Sequence, residues 1–170
     1  NFGVIESYAA FGNTLSNIGD LDRDGITDLA VGSYGDNDNG YDSGAVYVLF
    51  LNIDGTVKSH QKISSNEGNF DVVLEIGDNF GTAVTSIGDL DGDGITDLAV
   101  GVKGDDDGKS FIPVKLGGEP SSSKGAVYIL FMNNDGTVKS HQKISADYGN
   151  FHDKLHIDDR FGSAIANIGD

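Results

Sequence analysis

The strongest constraint in this chain is an acidic nonapeptide that occurs twice. Residues 20–28 read Asp-Leu-Asp-Arg-Asp-Gly-Ile-Thr-Asp, and residues 89–97 repeat them with Gly92 in place of Arg23. Both fit D-x-D-x-D-G-x-x-D, with Asp20, Asp22, Asp24 and Asp28 in one copy and Asp89, Asp91, Asp93 and Asp97 in the other. Four carboxylates packed so closely repel one another and add nothing to an apolar core. A hard cation with oxygen ligands removes that repulsion, and Ca²⁺ suits it best, because Mg²⁺ keeps its water shell and avoids dense protein cages. Gly25 and Gly94, at the sixth position, permit the sharp turn that folds alternate side chains inward. The carbonyls of Ile26 and Ile95, at the seventh, add a backbone ligand. An EF-hand needs a bidentate glutamate at position 12 and flanking helices. Val31 and Val100 stand there instead, each inside a predicted strand. The expected ligand sets are therefore Asp20, Asp22, Asp24, Ile26 and Asp28 for one Ca²⁺, and Asp89, Asp91, Asp93, Ile95 and Asp97 for a second.

The duplication extends well beyond these loops. Phe11-Gly12 returns as Phe80-Gly81 and Phe161-Gly162, and Ile18-Gly19-Asp20 returns as Ile87-Gly88-Asp89 and Ile168-Gly169-Asp170. The spacings are 69 and then 81 residues, and the extra 12 fall between Gly101 and Gly125. Residues 54–64 are identical to residues 135–145. The chain divides into a first repeat at 1–68, a second at 69–149 with an insertion at 102–124, and the first strand of a third at 150–170. Asp170 matches the first ligand of a third loop.

Four strands are predicted per repeat. In the first they run over 11–18, 28–32, 44–51 and 56–63, so the acidic loop joins two adjacent strands. The third, Gly-Ala-Val-Tyr-Val-Leu-Phe-Leu, is almost wholly apolar and should be buried on both faces. The fourth alternates Val57, Ser59, Gln61 and Ile63 with Lys58, His60 and Lys62. That pattern suits an outer strand with one wet face, where lysines discourage edge pairing. Asp54-Gly55 and Asp135-Gly136 mark hairpins between the last two strands. No segment carries a helical period. Antiparallel four-stranded units repeated as wholes predict an all-β chain of β-propeller blades. A β-sandwich is the competing architecture, but it does not explain why the unit repeats together with its metal loop.

These residues resemble the FG-GAP repeats of the integrin alpha-chain β-propeller, especially their prokaryotic relatives. The three Phe-Gly pairs match the first half of the motif. Gly44-Ala45-Val46 and Gly125-Ala126-Val127 match the second, with valine where the name has proline. The family's Ca²⁺ loop stands between the halves at both sites. The resemblance implies a Ca²⁺-stabilised propeller, typically of seven blades, secreted or on a cell surface. It places calcium loops on one rim and ligand recognition on the other. Here the recognition side falls to loops 33–43 and 102–124, facing a protein or glycan. Seven blades would need roughly 480 residues. The chain is therefore expected to be part of a longer propeller, or to complete itself with other copies, its similar ends permitting a swap. It opens mid-pattern at Asn1-Phe2 with no visible signal peptide, as a mature or trimmed piece would.

The charge agrees. With 27 acidic and 11 basic residues the net charge is −16, and two Ca²⁺ would leave it at −12. Such a field argues against nucleic acid and anionic lipid. No apolar run approaches the roughly 20 residues of a membrane helix. The absence of cysteine excludes thiolate zinc sites and cysteine nucleophiles. The 25 glycines and 2 prolines suit short strands joined by tight turns.

Other motifs are weaker. Acidic runs at 36–39 and 105–107 read as solvated, mobile loop tips, with a further cation or a basic partner as the alternative. Gly108-Lys109-Ser110 ends like a phosphate loop, but Lys103 stands where its first glycine belongs, and three adjacent aspartates repel phosphate. His60 and His141, equivalent positions on the fourth strand, read as surface residues, as do His152 and His156. No G-x-S-x-G elbow is present, and no carboxylate pair stands out for glycoside chemistry. The expected function is a non-enzymatic adhesion or interaction module. The alternative is an accessory propeller part of a secreted enzyme, phospholipase D-like or carbohydrate-active.

Overall fold

A computed structural model describes residues 5, 7–108, 123–152 and 155–169. Among these residues, eight strands form two four-stranded antiparallel sheets, each a meander in chain order. The first sheet comprises β1 (Thr14–Gly19), β2 (Asp28–Ser33), β3 (Ala45–Leu51) and β4 (Val57–Ile63). The second comprises β5 (Phe80–Gly88), β6 (Asp97–Val102), β7 (Ala126–Met132) and β8 (Val138–Ile144). The described residues contain no helix, so none is long and apolar enough to cross a membrane.

Strand ends match the sequence pattern to within a residue, except that β1 starts at Thr14 and not at Phe11. Residues 10–13 turn first, with the Asn13 amide donating to the Ala10 carbonyl at 3.1 Å and Gly12 at φ +86°. Gly169-Asp170 was expected to open a third loop; Asp170 lies outside the described residues.

β3 is apolar throughout because it packs on both sides, and its period of two divides the packing. Val46, Val48 and Phe50 face the second sheet and join its Tyr128, Leu130 and Met132 in one core. Tyr47 and Leu49 face the other way, onto Val31 and Phe11. Tyr47, Leu49 and Leu51 are the repeat equivalents of Tyr128, Leu130 and Met132. The two sheets therefore meet through different faces of the same unit. Such head-to-tail packing propagates from unit to unit, as in successive propeller blades, whereas a sandwich closes with its two sheets. The start of the third repeat follows suit. Gly125 bridges Phe161 as Gly44 bridges Phe80, and Phe151 stacks on Phe161 as Phe70 stacks on Phe80.

Besides this apolar core, the blades meet through backbone. The Phe80 amide donates to the Ser43 carbonyl at 3.0 Å, and the Phe161 amide to the Lys124 carbonyl at 2.9 Å. A Cβ on Gly32 would stand 2.2 Å from the Gly81 carbonyl oxygen, and one on Gly101 would stand 1.9 Å from that of Gly162. Only glycine fits so close an approach.

Candidate metal centres

Each acidic loop joins the first two strands of its sheet, over 20–27 between β1 and β2 and over 89–96 between β5 and β6. Gly25 and Gly94 take φ values of +88° and +84°, which supply the sharp turn. The first aspartate organises the loop from within. Asp20 accepts the amides of Asp24 at 2.9 Å and Gly25 at 2.8 Å, and Asp89 accepts those of Gly92, Asp93 and Gly94.

The last aspartate is buried and ties the loop to the sheet. Asp28 accepts the Leu21 amide at 3.0 Å and the Leu51 amide, at the far end of β3, at 3.1 Å. Asp97 does the same with Leu90 at 2.9 Å and Met132 at 3.1 Å. Burial pushes both carboxyls above the usual range, against the pull of these amides.

One carboxylate oxygen from each of Asp20, Asp22 and Asp28 lies within 4.8 Å of the other two, and Asp89, Asp91 and Asp97 form the same group. Asp22 Oδ1 is buried without a hydrogen-bond partner, the one such side-chain atom among the described residues. An all-oxygen anionic donor set holding an orphaned buried carboxylate oxygen fits a hard divalent cation.

Asp24 and Asp93 stand aside from these groups of three. Each accepts the amide two residues on, from Ile26 or Ile95, at 2.9 Å. Their second oxygens meet lysines from the fourth strand. Lys58 Nζ contacts Asp24 and lies 2.6 Å from Asp22 Oδ2. Lys139 Nζ lies 2.7 Å from Asp91 and 2.6 Å from Asp93. These lysines hold the Asp24 and Asp93 carboxyls below the usual range. Sequence reasoning gave them no such part; the available signal was a lysine repeated at one position beside two copies of an acidic loop.

The opposite rim corrects a second expectation. The acidic runs at 36–39 and 105–107 are not solvated tips. Asp36 and Asp105 are buried. Lys62 bridges Asp36 at 2.9 Å and Asp38 at 2.7 Å, and Lys143 bridges Asp105 and Asp107, both at 2.8 Å. Ser64 and Ser145 donate to Asp38 and Asp107, each at 2.7 Å. The outer strand's lysine face is thus engaged with loops at both ends rather than simply wet. Asp78 is also buried, and its carboxyl is driven well above the usual range by desolvation and by the charge of Asp105.

His141 is no ordinary surface residue. It is half-buried against Phe70 and Tyr128, at ring-centroid distances of 5.4 and 5.8 Å. Of the insertion, 109–122 lies outside the described residues, including the Lys109-Ser110 of the phosphate-loop-like ending.

A chain built from head-to-tail four-stranded blades, each with an acidic loop between its first two strands, is a propeller-repeat protein. The FG-GAP repeat family matches residues 11–49 and 80–130, more than half of the sequence, and the chain belongs to it. It is 38% identical to integrin alpha-2 of Mus musculus over 98 residues, 56% of this chain and 8% of that protein. It is 42% identical to integrin alpha-6 of Homo sapiens over 95 residues, 55% of this chain and 8% of that one. Against integrin alpha-4 of Xenopus laevis the identity is 32% over 96 residues, again 55% and 8%. The chain thus spans less than a tenth of the length of these relatives.

Proposed function

We propose that the chain is a Ca²⁺-binding β-propeller segment of an integrin-like protein, secreted or on a cell surface, and a non-enzymatic adhesion or interaction module. The observation that carries this reading is the convergence, in both repeats, of three carboxylates at the end of a strand hairpin; in the first repeat Asp22 Oδ1 is also buried with no hydrogen-bond partner. Asp20, Asp22, Asp24 and Asp28 with the Ile26 carbonyl hold one ion. Asp89, Asp91, Asp93 and Asp97 with the Ile95 carbonyl hold the other. The ion neutralises the loop's self-repulsion and stiffens the hairpin of the first two strands. Asp24 and Asp93 join by turning in from their lysines.

The faces that meet between the two sheets support further blades as partners, from the same parent protein or from other copies of the chain. Ala99, Val127, Ile129 and Phe131 repeat the side of the first sheet that receives the second, so a following blade docks there. The repeat units are 1–68, 69–149 and 150–170. Recognition of a protein or glycan falls to loops 33–43 and 102–124. With Asp36 and Asp38 clamped by Lys62, the half-exposed Tyr41 is the large apolar contact that the first of these loops offers.

Titration calorimetry tests the metal reading. It should register two Ca²⁺ per chain, and chelator should lower the melting temperature. Each site contributes about 2.7 kcal/mol when the ion stands at a hundred times its dissociation constant. Binding that survives Asp22→Ala together with Asp91→Ala would sink the assignment.

A further inference from the structure

Lys58 and Lys139 occupy the same position in two copies of Val-Lys-Ser-His-Gln-Lys-Ile. Each extends from the fourth strand of its sheet to the loop between the first two strands. Each bridges the aspartates at the third and fifth loop positions, Asp22 with Asp24 and Asp91 with Asp93. The loops and fourth strands of the two repeats are near-identical in sequence, and both copies fold into the same bridge. Three of the four carboxylates of each loop converge, and the fifth-position aspartate, outside that group, gives one oxygen to the lysine and the other to a backbone amide.

We infer that Lys58 and Lys139 are exchangeable internal counter-ions of the two acidic loops. Each keeps its loop folded when divalent cation is scarce, and releases the fifth-position aspartate when the ion enters. The inference rests on the Ca²⁺ reading above and adds a competitor to it. An ammonium is a compact charge on a flexible stem with three rotatable donors, suited to reversible capture of two carboxylates. Release is easy, because the Lys58 and Lys139 side chains are 34% and 42% exposed and return to water. Even when released toward water, an ammonium that stays within about 6 Å of a divalent ion repels it enough, at the permittivity of water, to weaken metal binding about tenfold. The lysines therefore act in opposite directions on the two states. They support the metal-free loop and lower its affinity for Ca²⁺, which narrows the difference in stability between loaded and metal-free protein.

The test is the full chain carrying Lys58→Met with Lys139→Met, compared with wild type by Ca²⁺ calorimetry and by thermal unfolding in chelator and in saturating Ca²⁺. The expected result is about tenfold tighter Ca²⁺ binding, a lower melting temperature in chelator, and an unchanged one in saturating Ca²⁺. Unchanged or weaker affinity overturns the inference, as does an equal fall in melting temperature under both conditions, which marks the lysines as structural only. Should the double variant fail to fold in chelator, Lys139→Met alone leaves the first loop clasped, and one of the two sites must tighten while the other does not. Wild-type protein that binds no Ca²⁺ overturns the metal reading itself, a result distinct from wild type that binds with an affinity the lysines do not alter.

Discussion

The Phe80 amide donates to the Ser43 carbonyl at 3.0 Å, so the second blade begins by hydrogen bonding to the first. One residue on from each, Gly44 and Gly81 let the two backbones approach. A Cβ on Gly44 would meet the Phe80 carbonyl oxygen at 2.2 Å, and one on Gly81 would meet that of Ala45 at 2.3 Å. The Phe-Gly of one repeat is thereby seated on the Gly-Ala of the repeat before it, and the two repeated halves of the motif are the two sides of a single joint.

That joint should be intolerant of a methyl group. Gly32→Ala would place a Cβ 2.2 Å from the Gly81 carbonyl oxygen and 2.4 Å from the Thr14 methyl. The expected loss is about 3 kcal/mol, because backbone must move to relieve it. Gly55→Ala is the contrast. It has nothing within 4 Å but sits at φ +80°, so it should lose only about 1 kcal/mol through backbone strain. Denaturant unfolding should separate the two by their midpoints.

Two identical segments should respond differently to the same change. Val57 and Val138 occupy equivalent places in 54–64 and 135–145, yet Val57 is 41% exposed and Val138 only 3%. The reason is the neighbouring blade: the Val138 amide donates to the Gly68 carbonyl at 2.8 Å, and the turn at Gly136 packs on Val48, Phe50 and Gln61. Val138→Ala should cost about 1.5 kcal/mol. Val57→Ala should stay within about 0.5 kcal/mol of wild type. Equal costs would mean the blades do not pack as described.

The sequence made the strands, the hairpins and the acidic loops readable because each depends on a local pattern: a period of two, Asp-Gly turns, aspartates at alternate positions. The difference between Val57 and Val138 was beyond such reading, since identical words carry no information about which copy is covered. The lysines were misread for a related reason. Lys62 looks like a solvent-facing residue beside His60 and Gln61, and only the fold brings Asp36 and Asp38 to it across β3. Of each candidate metal site, the aspartates at the first, third and ninth positions converge as the spacing implies. Asp24 and Asp93 do not, because a lysine from the same sheet competes for them.

At the rim opposite the acidic loops, removing a lysine should be severe. Lys143 is mostly buried, with Asp105 and Asp107 as its partners, and Lys143→Met removes the cation that bridges those carboxylates. A loss of about 3 to 5 kcal/mol is expected from breaking one side of a buried ion pair. Equilibrium unfolding of the variant in Ca²⁺ buffer measures it, so that a change at the metal loops does not contribute.

Asp78 should make stability depend on pH with an uncommon sign. Its carboxyl is raised well above the ordinary 3.8 by burial and by the nearby Asp105 charge. The folded state therefore binds the proton more tightly than the unfolded chain does. Its contribution is fully present below the unfolded value and is lost as pH rises through the folded one. Asn at this position keeps an acceptor for the Glu75 amide, which now lies 2.7 Å from Asp78 Oδ2. Comparing wild type with Asp78→Asn between about pH 4 and pH 8, the wild type should lose ground steadily as pH rises. A difference that stays flat would mean that Asp78 does not titrate in this range.

The joint between blades has a consequence for how such chains change over time. Because its closest contacts are peptide groups and absent side chains, it works as a common coupling whose form does not depend on what else a blade carries. A repeat can be copied, as the shared 54–64 and 135–145 segments show, and can then acquire an insertion like the one between Gly101 and Gly125, without any matching change in its neighbour. Diversity can accumulate in the loops while the coupling stays standard.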